Sequence, residues 1–122
     1  MSNAYELGLQ TASFDADTDL SSNQYYAVKM STSEKIILAS DAGDEMIGVL
    51  QDEPAAADRA CLVAFGGISK AVGGAAIEEG VKVGVDAGGK FVTYVSGGVA
   101  GYSVTPCGGD GQLFSLLIVK AT

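Results

Sequence analysis

Three aspartates near the start of the chain have the spacing of the first ligands in a calcium-binding loop. Asp15, Asp17 and Asp19 alternate along the segment, and alternate carboxylates can converge on one Ca²⁺ ion. The rest of the pattern is missing, because Leu20 stands where such a loop needs glycine and Tyr26 where it needs glutamate. We therefore interpret the segment as a solvated acidic linker, and we predict no metal ion and no cofactor.

The other side chains that could do chemistry lack a base near neutral pH. The chain contains no histidine, the commonest general base in enzymes, so neither Cys61 nor Cys107 has the partner that activates a catalytic thiol. Several carboxylates could form the acid–base pair of a glycosidase, but a solvated acidic surface explains them more simply. They are Asp41, Asp44, Glu45, Asp52 and Glu53. We predict that the protein is not an enzyme.

The charge of the chain argues against two classes of partner. Its 122 residues are enough for one domain with a single core, and their formal net charge is −8. Nucleic acid binding needs clustered Lys and Arg, and anionic membranes attract basic segments, so we predict neither partner. Residues 1–6 have neither the basic start nor the apolar stretch of a signal peptide, and we therefore expect synthesis in the cytoplasm.

Short apolar segments separated by turn-forming residues predict an all-β fold. Strands of about five residues at roughly 8–12-residue spacing are typical of a small β-barrel or β-sandwich of short antiparallel strands. The clearest hairpin turn ends in Gly88 and Gly89, because glycine adopts positive φ without a steric penalty. The best helix candidate is one turn at 75–80, ended by Gly80, so we predict at most one short helix.

Residues 1–22 differ from the rest and are predicted to form an extended N-terminal arm. Tyr5, Leu7 and Leu9 alternate with other residues, which places them on one face of an extended strand. An acidic stretch and turn-forming residues follow them. Residues 23–122 are predicted to form a single β domain.

This domain contains a loose internal repeat. Lys35 and Lys90 are 55 residues apart, and Gly48 and Gly101 are 53 residues apart, each in a similar local sequence. Self-similarity at a fixed period suggests one β-rich unit used twice, so we also predict an internal duplication of about 25–66 and 80–120. A duplicated β module favours a structural or binding role over catalysis.

The segment 75–92 resembles the bacteriophage capsid cement, or head decoration, proteins. Their recurring phrase is an alanine-rich stretch followed by I-x-x-G-x-x-V-x-V-D-x-x-G-K and a hydrophobic residue. It is matched here by Ile77, Gly80, Val83, Val85, Asp86, Gly89 and Lys90. The glycine strands around Gly48 and Gly101 are also similar, whereas Tyr102 stands where the family is usually richer in alanine.

The resemblance implies a small β-barrel-like protein on the outside of an assembled phage head, where it stabilises the shell at three-fold or quasi-three-fold sites. The implied partner is the major capsid protein, the implied state a homotrimer and the implied location the capsid exterior of the virion. An extended arm can add a strand to an exposed sheet edge of a shell protein. The predicted capsid-binding residues are Tyr5, Leu7, Leu9 and Phe14.

A second class of function stays open: a carbohydrate- or protein-binding β module of another virion component, such as a tail or a fibre. Tyrosine rings could stack on sugars. However, Tyr25 and Tyr26 are adjacent and therefore face opposite sides of a strand, so the pair does not form an aromatic platform.

Overall fold

The computed structural model describes residues 4–32 and 34–119 of the chain, and these form one antiparallel sheet of nine strands with no helix. The predicted all-β fold is therefore confirmed. The strands are β1 (Leu7–Asp15), β2 (Ala27–Met30), β3 (Ile36–Leu38), β4 (Gly48–Leu50), β5 (Ala60–Val72), β6 (Lys82–Val85), β7 (Phe91–Thr93), β8 (Gly101–Ser103) and β9 (Leu113–Ile118).

Strand β5 is the longest element and links the two ends of the sheet. It pairs with β1 between residues 60 and 68, with β4 at Val63 and Ala64, and with β9 between residues 68 and 72. Near its middle Gly67 has a φ of 87°, and a Cβ atom there would lie 2.3 Å from the carbonyl oxygen of Gly8. Only glycine fits this close approach of two backbones.

Two parts of the sheet, residues 7–65 (the first half) and residues 68–119 (the second half), have the same strand pairings. In the first half β2 pairs with β3 and β4, and β4 pairs with β5; in the second half β6 pairs with β7 and β8, and β8 pairs with β9. The registers also correspond. They are Ala27–Val49 with Lys82–Tyr102, Val28–Gly48 with Val83–Gly101, and Leu50–Val63 with Ser103–Leu116.

In each half, the residue that follows one outer strand forms a bridge to the other outer strand. An isolated parallel bridge joins Ala16, just after β1, to Ile36 in β3, and a second one joins Gly73, just after β5, to Phe91 in β7. Strand β1 therefore occupies the same position in the first half as the C-terminal part of β5 occupies in the second half. Such closure gives each half the curled shape of a small barrel, because the edge strands meet.

The buried side chains form two clusters. The smaller cluster lies in the first half, and its members are Ala16, Leu20, Val28, Ile36, Leu50, Cys61 and Val63. The larger cluster fills the second half and continues onto the first, where it includes Ala27, Ala39, Val49 and Ala64. In the larger cluster the rings of Phe91 and Phe114 pack edge to face with centroids 6.2 Å apart, a favourable aromatic geometry.

The segment at 75–80 is not helical. Ile77 instead forms an isolated antiparallel bridge with Cys107, which makes Cys107 a buried residue rather than the loop residue that its neighbours Pro106 and Gly108 suggest. Cys61 is also buried, and neither thiol forms a disulfide. The division into an arm of residues 1–22 and a domain of residues 23–122 stays a prediction, as does the duplication; residues 1–3 lie outside the described part.

Candidate functional site

The N-terminal segment is held on the sheet by its backbone and by one carboxylate. The N–H of Tyr5 donates to Ser115 Oγ at 2.7 Å, and the Ser115 hydroxyl donates to the Tyr5 carbonyl oxygen at 3.0 Å. Glu6 Oε2 accepts from the Ser69 hydroxyl at 3.3 Å and from the N–H of Lys70 at 3.2 Å. These bonds fix the path of the backbone and leave the Tyr5 ring exposed.

Leu7 and Leu9 do not share a face, contrary to the expected alternation. Leu7 is 64% exposed, whereas Leu9 packs against the larger cluster. The cause is Gly8, whose φ of 65° interrupts the strand, and the register of β1 on β5 shifts between Leu7 and Gln10. A bulge of this kind rotates the following side chains relative to the preceding ones.

Phe14, the fourth predicted binding residue, packs inward. It is half-buried against the smaller cluster, lies opposite Cys61 in the β1–β5 pairing, and accepts a hydrogen bond from Cys61 Sγ at its carbonyl oxygen at 3.4 Å. Burial raises the pKa of the Cys61 thiol, and the nearby carboxylates of Asp52 and Asp15 raise it further. Of the four predicted residues, Tyr5 and Leu7 are thus the ones with exposed side chains.

Leu7 is one end of an apolar row that crosses four strands. Directly paired positions lead from Leu7 in β1 to Ile68 in β5, Leu117 in β9 and Tyr102 in β8, and paired residues of neighbouring strands point to the same side of a sheet. Leu117 and Tyr102 are also exposed, and Ile68 is half-buried between Leu7 and Leu117. We call these four residues the apolar row. Exposed apolar surface that is continuous marks an interaction site.

Three members of the row, Ile68, Leu117 and Tyr102, were not anticipated as binding residues from the sequence. A usable sequence signal exists for Tyr102, because it stands between the small residues Gly101 and Ser103 and strand residues alternate between faces. Next to it in β6, Lys82 extends over the ring of Tyr94, with Nζ 4.8 Å from the centroid, a cation–π geometry.

Among the residues that the structure describes, three ion pairs partly neutralise the acidic surface. Lys29 contacts Asp44 at 2.8 Å, Lys90 contacts Asp110 at 2.9 Å, and Lys35 pairs with Asp58. Asp44 also accepts from the N–H groups of Ser40 and Asp41. These bonds, led by the one from Lys29, hold the pKa of Asp44 below its ordinary value.

The first acidic segment does not assemble into a metal site. Asp19 caps its own turn by accepting from the N–H of Ser21 at 2.9 Å, which lowers the pKa of Asp19. Within residues 4–32 and 34–119, no group of three or more potential ligands is placed to hold a metal ion.

Comparisons with known proteins relate this fold to phage heads. A solved structure with a similar fold is described as the head fiber gp8.5 N base in bacteriophage phi29; it is 18% identical, with a TM-score of 0.69, and the match covers 94% of this chain and 99% of that one. The comparison with curated proteins found no matching sequence. The part of the chain that the structure describes contains no helix able to span a membrane. The model of the phage cement protein family matches residues 9–118, and the chain therefore belongs to that family of structural phage proteins.

Proposed function

We propose that the protein binds the outer surface of an assembled phage capsid and stabilises it, as a homotrimer at three-fold or quasi-three-fold sites of the major capsid protein. The observation that carries the proposal is its membership of the phage cement family, which extends over residues 9–118. In this proposal the protein acts on the capsid exterior of the virion and does so without catalysis.

The surface that best fits this role is the N-terminal end of the apolar row. Leu7 is exposed, and Tyr5 is exposed beside it on a backbone anchored to Ser115. Because that backbone is already ordered, binding through these side chains loses little conformational entropy. Leu9 and Phe14 support the segment from below by packing against the two clusters.

Strand β1 also offers a route for hydrogen bonding to the shell. In the described residues its one strand partner is β5, and its second edge is engaged just after the strand by the bridge of Ala16 to Ile36. The rest of that edge can pair with a strand of the capsid protein. Backbone hydrogen bonds would then set the register, and Leu7 would contribute by apolar burial, for which full burial of a leucine side chain is worth roughly 1.5–3 kcal/mol. A trimer presents three such segments at high effective concentration, which multiplies a weak contact into tight binding.

The experiment is co-sedimentation of the protein with expanded shells of the phage that encodes it, stripped of decoration. The wild-type chain should pellet saturably, at a simple ratio to the shell protein. A Leu7→Asp variant should bind at least about tenfold more weakly, because a charge replaces the most exposed apolar side chain of the proposed contact. Wild-type protein that stays in the supernatant would refute capsid binding.

Point variants test the role of the N-terminal segment in capsid binding better than deletion of that segment does. Ala16 and Leu20 belong to the smaller cluster, so deleting residues 1–20 would remove core side chains together with the exposed ones. The matched control is Val95→Asp, since Val95 is 86% exposed and lies outside the apolar row. Equal binding by the Leu7→Asp and Val95→Asp variants would exclude the N-terminal segment as the binding site.

A second candidate function is favoured by the fold of the solved head fibre base: a fibre-type module that binds carbohydrate or protein. This alternative predicts that the chain binds glycans in an array and is indifferent to stripped shells. Shell binding without glycan binding would support the cement function instead.

A further inference from the structure

The two halves of the molecule pack against each other through different faces. We call the surface that the first half contributes to this contact its rear face. We call the surface that the second half contributes its front face. The rear face of the first half consists of Ala27, Ala39, Val49 and Ala64, and the front face of the second half includes Val85, Ala100 and Ile118. All seven residues are buried in the larger cluster.

The corresponding registers also locate a rear face on the second half and a front face on the first half. Val49 and Ala64 correspond to Tyr102 and Leu117, because the pairs Val49–Ala64 and Tyr102–Leu117 occupy the same place in the two sheets. These two members of the apolar row, together with Lys82, form the rear face of the second half. Tyr102 is 42% exposed and Leu117 is 38% exposed, although their counterparts are completely buried.

The front face of the first half is uncovered in the same way. Val85 corresponds to Met30, and Ile118 corresponds to Phe65. Met30 is 41% exposed and Phe65 is 44% exposed. Each half therefore exposes one apolar face whose counterpart in the other half is buried. The two exposed faces are a rear face and a front face, the same two kinds of face that pack against each other within the chain.

Charge at the edge of these faces follows the same correspondence. Inside the chain, the N–H of Ala27 on the rear face donates to the carbonyl oxygen of Gly89 at 2.8 Å. Ala27 corresponds to Lys82. Gly89 corresponds to Glu34, because both lie at the same place in the turn after β6 or β2 and both have positive φ, 81° and 66°. The contact within the chain joins two uncharged residues, Ala27 and Gly89. The corresponding contact between two chains would join the cation Lys82 to the anion Glu34.

We propose that copies of this chain associate head to tail, with the rear face of the second half (Lys82, Tyr102, Leu117) seated on the front face of the first half (Met30, Phe65) of the next copy. Lys82 then pairs with Glu34 of that copy. The contact repeats between chains the packing that already joins the two halves within one chain. The placement of these surfaces rests on the fold and not on capsid binding; the number of copies rests on the homotrimer in the proposed function.

A head-to-tail contact uses two different surfaces, so it either closes into a ring or continues as a fibre. A homotrimer built in this way is a closed ring in which six similar halves alternate between intramolecular and intermolecular contacts. An interface between two identical surfaces would instead stop at a dimer.

A charge-exchange experiment tests the pairing of Lys82 with Glu34. Sedimentation velocity of the wild-type chain should give a trimer. The single variants Lys82→Glu and Glu34→Lys each place like charges across the contact and should raise the dissociation constant by about tenfold or more. The double variant Lys82→Glu/Glu34→Lys should return to the trimer, since every interface in the ring regains opposite charges.

Matched controls separate this effect from a change in net charge. Arg59→Glu changes the charge as Lys82→Glu does, and Glu79→Lys changes it as Glu34→Lys does; both residues are exposed and lie outside the two faces. These controls should leave the trimer intact. A wild-type monomer at all concentrations, or a double variant as dissociated as the single ones, would overturn the proposal.

Oxidative cross-linking tests the direction of the contact. In a Lys82→Cys/Glu34→Cys variant, each chain carries both partners of a head-to-tail link, so oxidation should produce covalent trimers in denaturing electrophoresis. The wild-type chain, whose two cysteines are buried, should produce none. Covalent species that stop at dimers would exclude the head-to-tail arrangement.

The two proposals fail separately in these experiments. A chain that pellets with shells but never self-associates retains capsid binding and loses the head-to-tail contact together with the homotrimer. A chain that forms covalent trimers but does not pellet with its own shells retains the contact and loses capsid binding.

Discussion

The two halves of the sheet reach the same backbone conformation with different residues. Among the described residues, three non-glycine positions of the first half have positive φ, and each corresponds to a glycine with positive φ in the second half. In the first half they are Tyr25, Glu34 and Asp58, and in the second half they are Gly80, Gly89 and Gly111. The N–H of Tyr25 donates to Leu50 O and that of Gly80 to Ser103 O, both at 2.7 Å. The hydrogen bonding of the sheet therefore imposes these conformations, and glycine only makes them less costly.

The halves also differ in which side chains are covered. Ala27 and Ala64 are completely buried, while their counterparts Lys82 and Leu117 are exposed. The first half thus has a rear face of small residues suited to close packing, and the second half has a rear face with large and charged side chains. The same backbone arrangement therefore carries a buried rear face in the first half and, in the second half, an exposed rear face that is the proposed interface.

The strongest test of this common plan uses the glycine that β4 and β8 share. A Cβ atom at Gly101 would lie 1.9 Å from the carbonyl oxygen of Leu117, and one at Gly48 would lie 2.2 Å from that of Ala64. Both contacts are with backbone, which cannot move without breaking the sheet. We expect Gly101→Ala and Gly48→Ala each to lose more than about 4 kcal/mol of unfolding free energy, measured by urea denaturation.

Gly109→Ala is the control for these variants, because no atom lies within 4 Å of a Cβ built at Gly109. It should change the unfolding free energy by less than about 0.5 kcal/mol. A tolerated Gly48→Ala beside an unfolded Gly101→Ala would show that the two halves do not share the same constraint.

The next largest effect concerns the cores of the two halves. Ile36 and Phe91 occupy corresponding positions and are completely buried. Phe91→Ala should cost about 3–5 kcal/mol and Ile36→Ala about 2–5 kcal/mol. Because β5 belongs to both halves, we expect each variant to lower the midpoint of one common transition, followed by circular dichroism. Two separate transitions in either variant would contradict cooperative unfolding through β5.

A smaller effect is expected from exchanging residues at the positive-φ positions. Gly111→Asp should cost about 1 kcal/mol, because aspartate is strained at a φ of 82°. The reciprocal Asp58→Gly should gain less than this, since it relieves strain but removes the ion pair with Lys35. Differential scanning calorimetry of the two variants measures the asymmetry; a stabilising Gly111→Asp would show that glycine is not needed there.

The smallest effect is a pH dependence at the ion pair of Lys29 with Asp44, which lies in the first half. The folded-state pKa of Asp44 is below its ordinary value of 3.8, so its ion pair with Lys29 stabilises the protein above that pH and is lost as the pH falls through the folded-state pKa. Asp44→Asn should cost less than about 1 kcal/mol at pH 6. The difference from wild type should shrink as the pH falls below 3.8, as measured by thermal unfolding at each pH; a difference that stays constant over that fall would exclude the ion pair as its cause.

Some features of the binding surface follow from local sequence, and others do not. Leu7 and Tyr5 stand in a segment whose alternation marks a strand with one apolar face, and both are exposed. The bulge at Gly8 breaks that alternation, and the two backbones approach closely there because Gly67 on the opposing strand has no Cβ atom. A contact between residues so distant in sequence has no local signature.

The sequence by itself determined the all-β class, most of the strands and the resemblance to the phage cement proteins, because short apolar segments and glycine turns are local signals. It also contained the correspondence between Gly48 and Gly101. Only the tertiary structure decided that β5 continues through Gly66 and Gly67 to join both halves, and which rear face is covered. The covering depends on how the halves pack, so small side chains lie at the contact in one half and large ones face solvent in the other.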